Sequence, residues 1–311
     1  MKKRKQHYVW RYYLRSWSEN EKIFCLRDGK IFESNLMGVA NKRDFYRLKE
    51  LNLDDIKFIK KFAIDPSPPH LQKLHYNLIK QFNSIFELKS HVDSKGIDDS
   101  KLNGEIDKAI NNLEEDLHGG IESSAIKYIE SILKEDISFY TTDEGCRDFI
   151  YYLCVQYMRT RKIKSRVLSA VSGINSIDIS KIWNVMSHIF ATNMGWSLYA
   201  GRKQFRMVLL KNKSSIEFIT GDQPVINTYA SGVLNLTPPE KLEFYYPVSP
   251  ALAILITEKE NHKKSNRLAL NEKDVVLYNK LIVRNSYDQI YAASKSILEE
   301  YRQKCENQKE T

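Results

Sequence analysis

The segment Gln6–Trp17 reads Gln-His-Tyr-Val-Trp-Arg-Tyr-Tyr-Leu-Arg-Ser-Trp, placing three tyrosines, two tryptophans, two arginines and one histidine in a dozen residues. Chain termini are ordinarily the least ordered part of a domain, yet rings of this size gain much from burial. The segment is therefore expected to dock into the fold, so any core this chain forms has to leave a groove for its own first residues. His7–Trp17 reads as a short helix, with Tyr8, Arg11 and Arg15 on one stripe and Trp10, Leu14 and Trp17 on another. The basic residues Met1–Lys5 ahead of it read as solvated.

The 311 residues, 42% hydrophobic and 11% aromatic, can supply a core for one large domain or two interlocked ones. No apolar run approaches the roughly 20 residues of a membrane helix. An aromatic segment follows the basic start where a secretory signal would have an apolar run. Cys25, Cys146, Cys154 and Cys305 are scattered without a CxxC pair, which argues for reduced thiols in a cytoplasm and against a zinc site. Forty-eight basic against 39 acidic residues leave a net charge of +9, which favours a polyanionic partner, nucleic acid or nucleotide, over a membrane. A solvated basic surface is the alternative.

Residues 23–33 predict a β-hairpin around Asp28-Gly29, 45–48 a further short strand, and Asp54-Asp55 the start of a helix through Phe62. Asp65-Pro66-Ser67-Pro68-Pro69 breaks the chain. Helical patterning then covers 71–88, 105–117, 121–134, 143–172 and 177–192, with a mobile loop over 90–103 and a break at Gly119-Gly120. Short β-like runs follow at 205–210, 216–220, 242–247 and 251–257. Residues 271–292 are helical again, and 294–311 extend that helix into a polar tail. The fold class expected is α+β: a mixed or antiparallel sheet built from the N-terminal hairpin and the later strands, with a large central helical insertion. The corresponding division is 1–65 for the N-terminal helix and hairpin, 66–194 for the helical region and 195–311 for the strands and C-terminal helix that complete one compact core.

Three stretches carry candidate chemistry. In the first, His7 can transfer protons near neutral pH, and Tyr8, Arg11 and Arg15 can bind an anion; the alternative is a docking helix whose His and Arg cap carbonyls. In the second, Gln156, Arg159 and Thr160 continue an apolar helical stripe formed with Phe149 and Leu153, followed by Arg161. An arginine there orients a carboxylate or phosphate by bidentate bonds, or else pairs with a structural carboxylate. In the third, Glu217–Val225, a strand runs into Gly221-Asp222-Gln223-Pro224, setting Asp222 at a strand end, where a simple Asx turn before proline is the alternative.

Several signatures are missing. No Glu-x-Lys or Asp-x-Lys follows Asp222, and the Asp-x-Lys spacings at Asp28 and Asp99 fall in turns or loops. No helical ribonuclease Arg–His pattern, P-loop, Gly-x-Gly-x-x-Gly, His-Glu-x-x-His or Gly-x-Ser-x-Gly occurs. His70, His75, His91, His118, His188 and His262 show no ligand-like pairing beyond His70/His75, whose spacing misses one helix face. Walker-type hydrolysis and zinc peptidase chemistry are not expected.

The three stretches, with Pro247-Val248-Ser249-Pro250, Asn279 and Tyr291, resemble the bacterial domain-of-unknown-function family 4238: an opening His-Tyr-Val-Pro-x-x-Tyr-Leu-Arg, a helix ending Gln-Tyr-x-Arg-Thr and a Ser-Asp-x-Pro-Val turn. Trp10 stands in place of the family's proline and Gly221 in place of its serine. The resemblance implies no established activity. Its sporadic accessory genes imply a mobile or defence-related setting. The expectation drawn from residues and resemblance together is a defence- or toxin-type effector, most simply a nuclease with RNA preferred over DNA. His7 would be its general acid/base, Asp222 the orienting group, and Arg159 with Gln156 would support a developing anion in one cleft. With a single candidate acid, metal-independent cleavage fits better than two-metal chemistry; no cofactor is called for and a divalent metal stays open. The alternatives are a non-catalytic nucleotide- or phosphate-sensing module and a partner-binding module, with a homodimer or a protein of the same operon as partner.

Overall fold

The first seventeen residues dock, but not as one helix. In the computed structural model, which describes residues 1–170, 177–230, 241–258 and 265–307 (backbone only over 303–307), Lys5–His7 is a strand, β1. Arg11–Leu14 is a single helical turn, α1, continued by a 3-10 turn at Arg15–Trp17. Tyr8, Tyr13, Leu14 and Trp17 are buried. Trp17 Nε1 donates to the Phe218 carbonyl at 2.7 Å, Tyr13 bonds Thr220 at 2.6 Å, and the Tyr13 ring stacks on Tyr246 at 4.9 Å. Met1–Lys5 is largely exposed as expected, and Lys2, Lys3 and Arg4 pair at the surface with Asp107, Asp116 and Asp44.

Lys22–Arg27 (β2) and Lys30–Asn35 (β3) form the expected hairpin. Asp28 and Gly29, at φ of 50° and 72°, supply the two left-handed residues that its turn requires. A strand does follow, at Asn41–Arg43 (β4) and not at 45–48, and it pairs with β1.

The helical region is more continuous than its glycines suggested. Leu53–Ile59 (α2) starts on a capping box between Asn52 and Asp55 and runs into a π turn at Lys60–Ile64. Pro69–Ser94 (α3) and Ser100–Leu133 (α4) leave little of the loop expected over 90–103. Helix α4 passes straight through Gly119-Gly120. Two interior glycines cost about 2 kcal/mol together, and burial of Ile106, Ile110, Ala125, Ile129 and Ile132 on either side offsets that. Conversely, the single helix expected over 143–172 divides into Asp143–Met158 (α5) and Arg161–Ala170 (α6). Thr160 makes the break: its hydroxyl bonds Gln223 and sits 3.5 Å from the Ile163 amide, as an N-cap does. Ile179–Ala200 (α7), capped by Asp178, packs along α5.

The last third holds Arg206–Asn212 (β5), Thr220–Gly221 (β6), Ile226–Asn227 (β7), Phe244–Pro247 (β8), Leu252–Thr257 (β9), Arg267–Leu270 (β10), Glu272–Asn285 (α8), Gln289–Ala292 (β11) and Lys295–Asn307 (α9). The helix expected over 271–292 thus ends at Asn285, and its last four residues are a strand. The polar tail after Asn307, Ser172 and the Cys305 side chain lie outside the described residues.

The fold is α+β. One sheet, in the order β3-β2-β11-β6, is wholly antiparallel and joins the N-terminal hairpin to the end of the chain. A second, in the order β10-β5-β9-β8-β7, is mixed, because β10 runs parallel to β5. One hydrophobic core lies between the aromatic terminus, α4, α5 and the second sheet; another lies under α8 and α9; a third joins α2, α3, α4 and α7. Among the described residues no helix is long and apolar enough to cross a membrane.

Candidate functional site

Two adjoining networks collect the residues that the sequence singled out. The first surrounds Arg159, 3% exposed at the α5–α6 break. Its Nε donates to the Tyr46 hydroxyl at 2.8 Å, Nη1 to Glu122 at 2.5 Å and Nη2 to the His7 backbone carbonyl at 2.6 Å. Gln156, also buried, stands beside Glu122, whose pKa burial raises against the opposing pull of Arg159 and Gln156. The guanidinium is therefore spent on clamping α4 to the N-terminal strand. His7 meets this network through its carbonyl. Its ring Nε2 is buried without a hydrogen-bond partner, and burial, aided by Arg11, pushes its pKa down to about 4, so the imidazole is neutral at pH 7.

The second network surrounds Asp222, fully buried just after β6. Its Oδ1 accepts the Tyr287 amide at 2.6 Å, and its Oδ2 accepts those of Asp288 and Gln289 at 2.9 and 3.1 Å. Three successive N–H groups on one carboxylate form an anion nest, which turns the chain from α8 into β11. Gly221 is closely packed here: a Cβ would lie 2.1 Å from the Ser286 hydroxyl, which would have to turn aside, and 3.2 Å from the Gln289 carbonyl. Burial and the neighbouring Asp288 carboxylate raise Asp222 to about 8. Burial alone would also raise Asp288, but a hydrogen bond from Asp222 and the Arg161 charge bring it below the usual range. Two carboxyls so placed share one proton. Arg161 Nη1 holds Asp288 at 2.6 Å, and the guanidinium carbon lies over the Tyr287 ring at 4.4 Å and the Tyr8 ring at 5.9 Å. Gln289 completes the network: its Nε2 donates to the Tyr8 hydroxyl at 2.9 Å and its Oε1 accepts from Tyr291 at 2.8 Å. The strand expected over 216–220 is reduced to Thr220–Gly221, and Asn279 holds the irregular segment before it by donating to the Glu217 carbonyl and accepting from the Ile219 amide.

Arg161 opens onto a cleft of about 340 Å³, near the lower limit of pockets that hold small ligands. Its walls carry Lys42, Arg43, Arg47, Lys49, Arg161 and Lys164 against Asp44 as the single acid, with Phe45 and Tyr287 as its aromatic rings. Arg47 and Lys49 are paired with Asp107 and Asp178. Lys42 and Lys164 have no ion-pair partner among the described residues, and Lys164 lies 5.4 Å over the Phe45 ring.

Of the candidate residues, Tyr8, Arg161 and Asp222 come together in the second network, and Gln156, Arg159 and the His7 backbone in the first. The two join through the peptide between His7 and Tyr8, and no direct bond links Arg159 to Asp222. Arg161 alone of the candidates lines the cleft. Arg11 contacts the Met37 sulfur and Arg15 pairs with Glu21 at 2.6 Å, both at the surface away from it. Asp288, Gln289, Tyr46 and Glu122 were not anticipated. Asn111, Glu114, His118 and Glu122 recur at helical spacing on α4, and that polar stripe signals a buried network. The same stripe supplies the one group among the described residues with the spacing to hold a metal ion, Glu114 and His118 with His188 of α7.

These features define an α+β protein with a basic cleft backed by the buried Asp222 and the half-buried Asp288. The chain belongs to the family described as "Protein of unknown function (DUF4238)", whose model matches residues 5–296. No curated protein and no solved structure matches it.

Proposed function

We propose that this protein binds nucleic acid, RNA in preference to DNA, by seating the phosphate backbone of a single strand in the basic cleft. The supporting observation is the cleft wall, where six cations gather and two of them, Lys42 and Lys164, have no ion-pair partner among the described residues. Phosphate contacts of this kind supply most of the affinity for a polyanion, and Phe45 and Tyr287 offer faces on which unpaired bases can stack. Cleavage is the second reading, favoured by the proton shared between Asp222 and Asp288 at the back of Arg161. Asp288, the solvent-accessible member of the pair, can donate and recover a proton at a substrate oxygen without a metal, while Arg161 stabilises the negative charge developing on the phosphoryl oxygens. Arg159 supports this from behind by fixing the N-terminal segment that carries Tyr8. A nuclease effector of defence or toxin type follows from cleavage; a nucleotide or phosphate sensor follows from binding alone. A cytoplasmic location goes with either, since RNA is present there and Cys25, Cys146 and Cys154 are unpaired, buried thiols.

The test incubates the purified full chain with labelled single-stranded RNA and DNA of one sequence, with and without a chelator, and reads anisotropy and product length together. RNA bound more tightly than DNA, with weaker binding in Arg161→Gln, supports the proposal. Chelator-resistant products, lost in the same variant, support cleavage. Binding without products supports the sensor. A folded protein that shifts neither anisotropy overturns the reading.

A further inference from the structure

Glu114 and His118 stand one turn apart on α4, and His188 faces them from α7. All three are 2–3% exposed. Glu114 Oε1 lies 3.5 Å from His118 Nε2 and 3.6 Å from His188 Nε2, and one donor atom from each residue lies within 4.8 Å of the other two. These separations are too long for N–H···O hydrogen bonds, which run about 2.7–3.2 Å. They are close to the ~3.3–3.4 Å between two ligands of a tetrahedral ion bound at about 2.0–2.1 Å. Glu114 Oε2, His118 Nδ1 and Nε2, and His188 Nε2 are all buried with no hydrogen-bond partner. Buried polar atoms left unsatisfied are rare and costly, and here four of them belong to three residues whose donor atoms lie within 4.8 Å of one another.

We propose that Glu114, His118 and His188 bind a divalent first-row transition ion, with zinc(II) the best match. Two imidazoles and a carboxylate suit that class of ion, and Glu114 can take two coordination positions through Oε1 and Oε2. None of the ligands is a cysteine, so cysteine spacing carried no hint of the site. The ion ties α4 to α7 directly behind the cleft. Asn184, in the cleft wall one turn before His188, bonds the Tyr46 carbonyl at 3.2 Å, and the Tyr46 ring packs on His118 at 4.7 Å. A site closed to solvent fills during folding.

The full chain is purified without chelator, and bound metal is measured by elemental analysis. A second sample is unfolded, freed of metal, and refolded with cobalt(II) or zinc(II). Support is one ion per chain in the wild type, a visible cobalt(II) spectrum of tetrahedral intensity, and a melting temperature raised by zinc(II) but not by magnesium(II). In Glu114→Gln and His188→Gln, bound metal falls at least tenfold and the zinc-induced shift is lost. Should both variants fail to fold, the wild-type cobalt(II) spectrum decides alone. Wild-type protein that is metal-free as purified, gives no cobalt(II) spectrum and melts identically with and without zinc(II) overturns the proposal, as does full metal content in both folded variants.

Discussion

Replacing Asp222 tests the buried nest in a graded way. In Asp222→Ala the amides of Tyr287, Asp288 and Gln289 lose their common acceptor. Each buried N–H left unsatisfied costs about 1–3 kcal/mol. Three together cost roughly 3–9 kcal/mol, with the lower half favoured because Tyr287 is 44% exposed and water can reach its amide. Against a typical domain stability of about 5–15 kcal/mol, this variant should be badly destabilised. Asp222→Asn keeps one oxygen. Turned so that it accepts from Asp288 and Gln289, its amide nitrogen opposes the Tyr287 N–H alone, costing about 1–3 kcal/mol. Urea unfolding followed by tryptophan fluorescence and by circular dichroism gives both numbers, provided the two transitions coincide. Amide exchange gives the local signature, with faster exchange confined first to 287–289. A loss below about 1 kcal/mol in Asp222→Ala at unchanged m-value would refute the nest as the device that holds β11 in place.

Two further outcomes follow from the same geometry. Asp222, raised to about 8 from an unfolded value of about 3.9, keeps its proton in the folded state while the unfolded chain has lost it. Its contribution to stability is thus complete below about pH 4 and is lost as pH rises towards 8; Asp222→Asn should flatten that decline, and an identical slope in wild type and variant would contradict the shared proton. His7 has the opposite sign: depressed to about 4, it contributes stability above pH 6.5 that is lost on acidification, so His7→Gln should flatten the acid limb. Trp17→Ala should cost about 3–5 kcal/mol, because the ring is 1% exposed and its Nε1 holds Phe218. Deleting 1–17 should abolish soluble expression, and a deletion that melts like the intact chain would show the segment to be a loose arm.

Much of the architecture was legible because it follows from local chemistry. Asp28-Gly29 admits a tight hairpin turn and little else, and the aromatic content of the first seventeen residues demanded burial. The errors arose where a distant partner overrode local pattern. Residues 289–292 continue a helical run in sequence, but Asp222 gathers the amides of Tyr287, Asp288 and Gln289, and β2 offers an open edge. Gly119-Gly120 reads as a break only if the packing on both sides of α4 is ignored. For the site, the polar residues at the three motifs were visible, but their partners were not. Arg159 finds Glu122, and Asp222 finds Asp288, across 37 and 66 residues. The basic cleft joins β4 and the segment after it to α6 and α7, so no single stretch of sequence showed its charge.

The salt dependence of RNA binding tests the central claim most directly. Anisotropy of a labelled single-stranded RNA is measured against ionic strength for wild type and for Lys42→Ala/Lys164→Ala, the two cleft lysines without ion-pair partners among the described residues. If the cleft seats the backbone, the logarithm of the binding constant falls linearly with the logarithm of salt, and the double variant lowers that slope by about 1.4, since each phosphate contact on a single strand contributes about 0.7. Equal slopes and affinities in the two proteins, both folded, would mean that RNA does not occupy this cleft.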